Sequence, residues 1–254
     1  MKAVLTAENL RVRAGDLLLA SLDELSVGPG ECAAIVGESG SGKTTVLNAM
    51  LGLTDGLQVS GRIAVNGTDV VTADDRTLSK MRGSVIALVS QSPQASLNPT
   101  MRLGALFKRV LARHGVRGAE ARERTGEALR SVLLDPGLLR RYPHQVSGGQ
   151  AQRFAIAMAV ALRADVILAD EPTSALDVTV QAAVLDLLAR LRDEHGIALV
   201  FVSHDLAVVS GIADHVVVMR RGRVVEAGPA CDVLHRPSAA YTRELLDAVP
   251  AIGE

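Results

Sequence analysis

Aromatic residues are nearly absent from this chain of 254 residues. It has no Trp, two Tyr and three Phe, 2% in all. A platform that stacks successive bases of a single-stranded nucleic acid is therefore not expected. Charge of one sign is lacking as well: 27 Lys and Arg stand against 28 Asp and Glu, a formal charge of −1. This balance argues against a basic nucleic-acid binder, and 48% hydrophobic content argues against a disordered acidic tail. Only two cysteines occur, Cys32 in an apolar run and Cys231, and neither belongs to a CxxC pair. Cys231 with nearby His235 is too little for a metal site, and a reduced, intracellular protein is expected. No run approaches the 18 or so apolar residues of a membrane span. Glu8 and Asn9 stand where a signal peptide would carry its apolar core. Any role at a membrane is thus expected to come through a partner.

What is present is an alternation of short apolar runs with helical patterns. Cys32–Val36, Val85–Val89, Val166–Ala169, Ala198–Val202 and His215–Met219 are continuous rather than alternating, as strands covered on both faces should be. A helix is expected from Lys43 to Leu51. A second is expected where Val180, Val184, Leu187, Leu188 and Leu191 recur at helical spacing, with its stop at Gly196. Two segments depart from this α/β pattern. Lys2–Val27, with Gly61–Val65 and its Asn66-Gly67 turn, reads as antiparallel strands and a hairpin. Ser92–Ala164 reads as a helical insert, with helices at Leu103–Arg113, Ala119–Leu134 and Gln150–Leu162 and breakers at Gly115–Gly118 and Asp135-Pro136-Gly137. The expected fold is α/β: a doubly wound core with a mainly parallel sheet, an N-terminal antiparallel β-region and an inserted helical subdomain. It forms one domain over 1–254, with 1–91 and 165–254 as the core and 92–164 as the insert.

The strongest local signal is Gly37-Glu38-Ser39-Gly40-Ser41-Gly42-Lys43-Thr44, followed by Thr45. It fits G-x-x-x-x-G-K-[ST] between a strand and a helix. Glycines let consecutive N–H groups turn inward around phosphate oxygens, and the helix N-terminus adds its positive end. Lys43 supplies a charge for the β- and γ-phosphates, and the Thr44 hydroxyl can ligate Mg²⁺. The apolar strand Val166–Ala169 then ends in Asp170-Glu171. At the C-terminal end of a parallel strand, such carboxylates face the ligand crevice. Asp170 is suited to holding Mg²⁺ and Glu171 to orienting and polarising a water. Ser147-Gly148-Gly149-Gln150 fits the S-x-x-Q capping box of the helix that follows. The same residues expose N–H groups that could grip a phosphate.

These segments, with Ser174-Ala175-Leu176-Asp177 and His204, occur in one order that resembles the nucleotide-binding subunit of ABC transporters. The resemblance covers nearly the whole chain. It implies an ATPase using ATP and Mg²⁺, in which two subunits, like or unlike, pack head to tail. ATP would lie between the phosphate loop of one and Ser147–Gln150 of the other, Ser174–Asp177 would cross the interface, and His204 would contact the γ-phosphate. It also implies that Gln91 senses Mg²⁺ and water and opens a loop coupled to a transmembrane permease subunit. Gln91–Pro99, Tyr142-Pro143-His144-Gln145, Thr173–Gln181 and Pro237–Leu246 are similar to importers of oligopeptides, dipeptides and nickel. An extracytoplasmic solute-binding protein would then act indirectly, and the subunit would sit on the cytoplasmic face of the membrane. Some of that group carry a C-terminal cysteine cluster for an iron–sulfur centre, and none is expected here. The aromatic that commonly stacks on adenine is replaced near Ala14, so Arg13 is a candidate in its place. A soluble ABC ATPase of DNA repair, chromosome organisation or translation is the alternative. It is disfavoured by the neutral charge and by the lack of a coiled-coil insert or zinc modules. A GTPase is disfavoured because Asn66-Gly67-Thr68-Asp69 lacks the lysine of a guanine-reading loop.

Overall fold

The computed structural model describes residues 2–248; the segment where a C-terminal cluster would follow, 249–254, lies outside them. The chain begins with two long strands, β1 (Leu5–Ala14) and β2 (Leu17–Val27), then β3 (Cys32–Val36) and helix α1 (Lys43–Met50). Next come β4 (Gln58–Val65), the short β5 (Thr68–Asp69), α2 (Asp75–Ser84) and β6 (Ile86–Val89). The insert follows as a single turn α3 (Pro93–Ser96), α4 (Leu103–Arg113), α5 (Gly118–Ser131) and α6 (Gly148–Ala161), with 3₁₀ turns at Pro136–Arg140 and Pro143–Gln145. The core resumes with β7 (Val166–Asp170), α7 (Val178–His195), β8 (Ala198–Ser203) and α8 (Leu206–Ser210). It closes with β9 (His215–Arg220), β10 (Arg223–Pro229), α9 (Ala230–His235) and α10 (Ala240–Asp247).

Among the described residues the strands form two sheets. One is antiparallel, in the order β2-β1-β4-β5; the other runs β10-β9-β3-β8-β7-β6, parallel except for β10. The apolar runs account for the second. All five residues of β3 and all six of β8 are buried, because successive side chains enter different cores. Cys32, Ala34 and Val36, with Leu199 and Phe201, pack into the cluster beneath the insert and α7. Ala33 and Ile35, with Val200 and Val202, pack into the cluster shared with α1 and the antiparallel sheet. Asn66 and Gly67, at φ +48° and +82°, form the two-residue turn between β4 and β5 that such a pair favours.

Several boundaries differ from expectation. The helix expected at Ala119–Leu134 runs from Gly118 to Ser131, and the chain leaves it at Leu133, φ +56°. The one expected at Gln150–Leu162 starts two residues earlier, because Ser147 caps it. The helix opened by Lys43 ends at Met50, with Leu51 as its C-cap. Strand β6 ends at Val89, so Gln91 stands in the loop beyond it rather than at its end. α2 was not foreseen: it buries only Leu78 and Met81 and carries non-helical Arg82 and Gly83. β10 also escaped, because four of its seven residues are exposed and none is buried.

Candidate functional site

β3 lies at the centre of the parallel sheet, with β8 on one side and β9 on the other. The C-terminal ends of β3, β7 and β8 come level: Val36 pairs with Ser203, and Asp170 with Val202. The loops leaving these three strands therefore converge at one crevice, where ligands bind in open α/β sheets.

The loop after β3 wraps closely on its neighbours. Gly37, Gly40 and Gly42 adopt φ of +147°, +78° and +102°. A Cβ on Gly37 would come within 2.1 Å of the Met219 carbonyl oxygen, and one on Gly42 within 2.7 Å of that of Leu19. Only glycine fits those two positions. Lys43, 5% exposed, folds back so that Nζ donates to the carbonyls of Gly37 at 2.7 Å and Glu38 at 2.8 Å. Burial pushes its pKa below the usual lysine value, against the pull of the Glu171, Asp170 and Glu38 carboxylates. Its charge is thus held in low dielectric, where an anion is strongly attracted.

Thr44, at the start of α1, donates Oγ1 to the Asp170 carboxylate at 3.1 and 3.3 Å. Burial raises the Asp170 pKa. The Thr44 hydrogen bond opposes that shift, the Glu171 charge adds to it and Lys43 counters it. Glu171 adopts φ +44°, a costly conformation for a non-glycine residue, with its N–H donated to Val202 O at 3.0 Å. That bend turns its carboxylate into the cleft. Oε1 lies 3.2 Å from Nδ1 of His204, the first residue after β8. Oε2 accepts from Gln91 Nε2 at 3.3 Å, and the same nitrogen donates to Ser174 Oγ at 3.0 Å. The cleft, about 340 Å³, is lined by Ser39, Gly40, Gly42, Lys43, Thr44, Thr45, Gln91, Asp170 and Glu171, with Leu19 at its edge.

These residues suit a nucleoside triphosphate with a divalent cation. The Gly37–Thr44 cradle has no room for a Cβ at its two tightest points, and the buried Ser41 hydroxyl within it has no hydrogen-bond partner. Thr44 and Asp170 set a hydroxyl beside a carboxylate, the hard oxygen donors that Mg²⁺ takes. Ser147–Gln150 do not join them. They start α6 in the insert, where Ser147 Oγ accepts from Gln150 N at 3.3 Å and Gln150 Oε1 accepts from Ser147 N at 3.1 Å. Gly149 faces Val180 so closely that a Cβ would come within 2.3 Å of its Cγ1. Arg13 is exposed beside the β1–β2 turn, with Nη1 on the Asp16 carbonyl at 3.2 Å.

This arrangement has known counterparts. A family model described as "ABC transporter" matches residues 22–174. The chain belongs to that family. It is 46% identical over 228 residues to the peptidoglycan transport ATP-binding protein YejF of Agrobacterium fabrum, covering 87% of this chain but 42% of that relative. It is 41% identical over 261 residues to the oligopeptide transport ATP-binding protein OppD of Escherichia coli, covering 98% of this chain and 77% of the relative. The fold matches the dimeric, post-hydrolysis structure of the ATP-binding cassette MJ0796 bound to ADP and Pi, at TM-score 0.76 and 30% identity over 89% of this chain and 98% of that one. Among the described residues no helix is long and apolar enough to cross a membrane.

Three contacts were not foreseen. Ser174 bonds Gln91 within the same chain, Gln94 Nε2 donates to Val146 O at 2.6 Å, and the Tyr241 hydroxyl accepts from the Glu38 amide at 3.2 Å. Each joins segments 50 or more positions apart, so no local pattern discloses it.

Proposed function

We propose that the chain is the ATP-hydrolysing subunit of an ABC importer for peptides or a related small solute. In this reading it works as one of a head-to-tail pair of cassettes on the cytoplasmic face of a membrane. The observation that carries this reading is a division within the site. Ser39, Gly40, Gly42–Thr45, Gln91, Asp170 and Glu171 line one cleft, with His204 against Glu171, whereas Ser147–Gln150 cap a helix that lines no part of it. A second subunit, like or unlike, supplies the missing donors. The relatives named for oligopeptide and peptidoglycan transport support a role in transport.

Phosphoryl transfer to water needs positioning and charge neutralisation more than covalent chemistry. The phosphate-loop amides and Lys43 hold the triphosphate. Thr44 and Asp170 would hold Mg²⁺, with Gln91 close by, and the cation would supply charge that neutralises the phosphates. Glu171 orients water and takes up its proton. His204 fixes the Glu171 carboxylate from one side and Gln91 from the other. Serine and glycine N–H groups from the partner's copy of the Ser147–Gln150 segment grip the phosphate only when the pair is closed. Loss of that grip after hydrolysis reopens it, since a ligand shifts an equilibrium only by its differential affinity.

The insert passes this change to a permease. Between α4, α5 and the Pro136–Arg140 turn lies a mostly apolar groove of about 650 Å³, rimmed by Lys108, Arg117 and Arg122. Such a groove suits a short amphipathic segment of a membrane subunit. The loop from Gln91 to Pro99 is tied to the residue before Ser147 through Gln94. A permease that moves the Gln91–Pro99 loop therefore moves both Gln91 and the capping segment. The test is Glu171→Gln. Turnover is abolished, and ATP drives association of the variant with a second cassette. Full turnover in Glu171→Gln overturns the assignment.

A further inference from the structure

The C-terminal helix reaches the phosphate loop. β10 is the edge strand of the parallel sheet, and its Glu226 gathers the start of the helix beyond it. Oε1 accepts from Ser238 N and Ser238 Oγ, both at 2.7 Å, and Oε2 accepts from Ala239 N at 3.1 Å. Arg243 Nη1 donates to the carbonyls of Pro237 and Ser238 at 2.8 and 3.1 Å. Thr242 is fully buried. α10 is thereby pinned to the sheet edge with a fixed rotation, and this rotation turns Tyr241 inward.

Tyr241 is 5% exposed. Arg220, the last residue of β9, covers its ring with the guanidinium carbon 4.4 Å from the centroid, within the range of a cation–π contact. Its hydroxyl accepts the Glu38 N–H at 3.2 Å. Glu38 belongs to the phosphate loop, and its carbonyl is one of the two that hold Lys43 Nζ. A single chain of contacts thus runs from α10 through the 37–38 peptide to the lysine that meets phosphate. Burial raises the phenol above its usual pKa, with the Glu38 charge adding to that rise, so the hydroxyl stays neutral at working pH.

We propose that Tyr241 is a positioning residue for the nucleotide: its hydroxyl sets the orientation of the Gly37–Glu38 peptide and so the placement of Lys43, making the C-terminal helix part of the ATP site. This rests on the phosphate loop being that site. The sequence pattern around Tyr241 thereby gains a physical task besides packing. The loop amide loses its acceptor when the hydroxyl is removed, while the ring and its Arg220 contact remain. A net hydrogen bond of about 1 kcal/mol corresponds to about a fivefold change in affinity.

The experiment compares ATP binding by calorimetry and thermal unfolding in the full chain, in Tyr241→Phe, in Arg243→Gln and in Lys43→Ala. Arg243→Gln weakens the start of α10 without touching the loop, while the three Glu226 bonds still hold the helix in the rotation that presents Tyr241. The expected result is a Kd for ATP about fivefold higher in Tyr241→Phe with Tm within about 2 °C of the parent. Arg243→Gln then has a lower Tm and an unchanged Kd. Faster hydrogen exchange at the Glu38 amide in Tyr241→Phe accompanies this result. An unchanged Kd in Tyr241→Phe overturns the proposal, and so does an equal rise in Arg243→Gln, which assigns the effect to helix packing. If the parent shows no saturable ATP binding, or Lys43→Ala binds as tightly as the parent, the reading of the site itself has failed.

Discussion

Ser147 carries two roles that a pair of substitutions separates. In the isolated chain it is a helix cap, with both bonds of its capping box at 3.1–3.3 Å on an exposed helix end. Removing the hydroxyl in Ser147→Ala costs about 0.5–1 kcal/mol of stability, or about 1–4 °C in Tm for a chain of this length. Aspartate is as good a cap as serine and adds favourable charge at a helix N-terminus, so Ser147→Asp leaves Tm unchanged. In the proposed pair the same position would face the phosphate held by the partner. A carboxylate about 4 Å from a phosphate charge is repelled by about 4 kcal/mol at an effective dielectric of 20, nearly a thousandfold in a rate or a constant. The assay is steady-state phosphate release by each variant, with its melting curve. Ser147→Asp melts like the parent and loses ATPase activity by two to three orders of magnitude. Parental turnover in Ser147→Asp refutes the argument, because the segment is then a cap and nothing more.

Further outcomes follow from the same geometry. Lys43→Ala weakens ATP binding at least tenfold by calorimetry. Gly37→Ala, with its Cβ aimed at the Met219 carbonyl, loses nucleotide binding and melts earlier, since neither backbone can yield. Glu226 gives a pH prediction. Despite burial, the nearby Thr242 hydroxyl and hydrogen bonds from Ser238 and Ala239 lower its pKa from 4.5 to about 2. A depressed folded value stabilises the chain above pH 4.5, and that stability is lost as pH falls through about 2. The full shift corresponds to about 3 kcal/mol, reduced to about 1–2 kcal/mol for a partly exposed group. Glu226→Gln therefore lowers Tm at pH 7 and flattens the fall in stability between pH 4.5 and 2 in acid titrations.

Much of the core is legible in the sequence because its period is simple. A strand covered on both faces must be apolar throughout, so β3, β7 and β8 declare themselves, as does the Asn66-Gly67 hairpin. α4 matches its expected bounds, Leu103–Arg113, because Leu103, Phe107 and Leu111 recur at helical spacing and are its buried residues. α2 is hidden because its buried stripe is thin, and β10 because it buries none of its residues. The site divides in the same way. The phosphate loop and Asp170-Glu171 are contiguous motifs whose chemistry needs neighbouring residues. The Thr44–Asp170 contact follows from them once the strands lie parallel. The Gln94–Val146 and Tyr241–Glu38 bonds depend on how the insert and the C-terminal helix fold back, and sequence spacing carries no trace of that.

In the proposed function, catalysis belongs to a pair of cassettes and not to one. Specific ATPase activity of the chain, alone and with a second cassette, measured across a dilution series alongside sedimentation, tests it most directly. Turnover per subunit is expected to track the fraction of paired subunits and to vanish with the monomer. Undiminished turnover per subunit in a preparation that sediments wholly as monomer contradicts it.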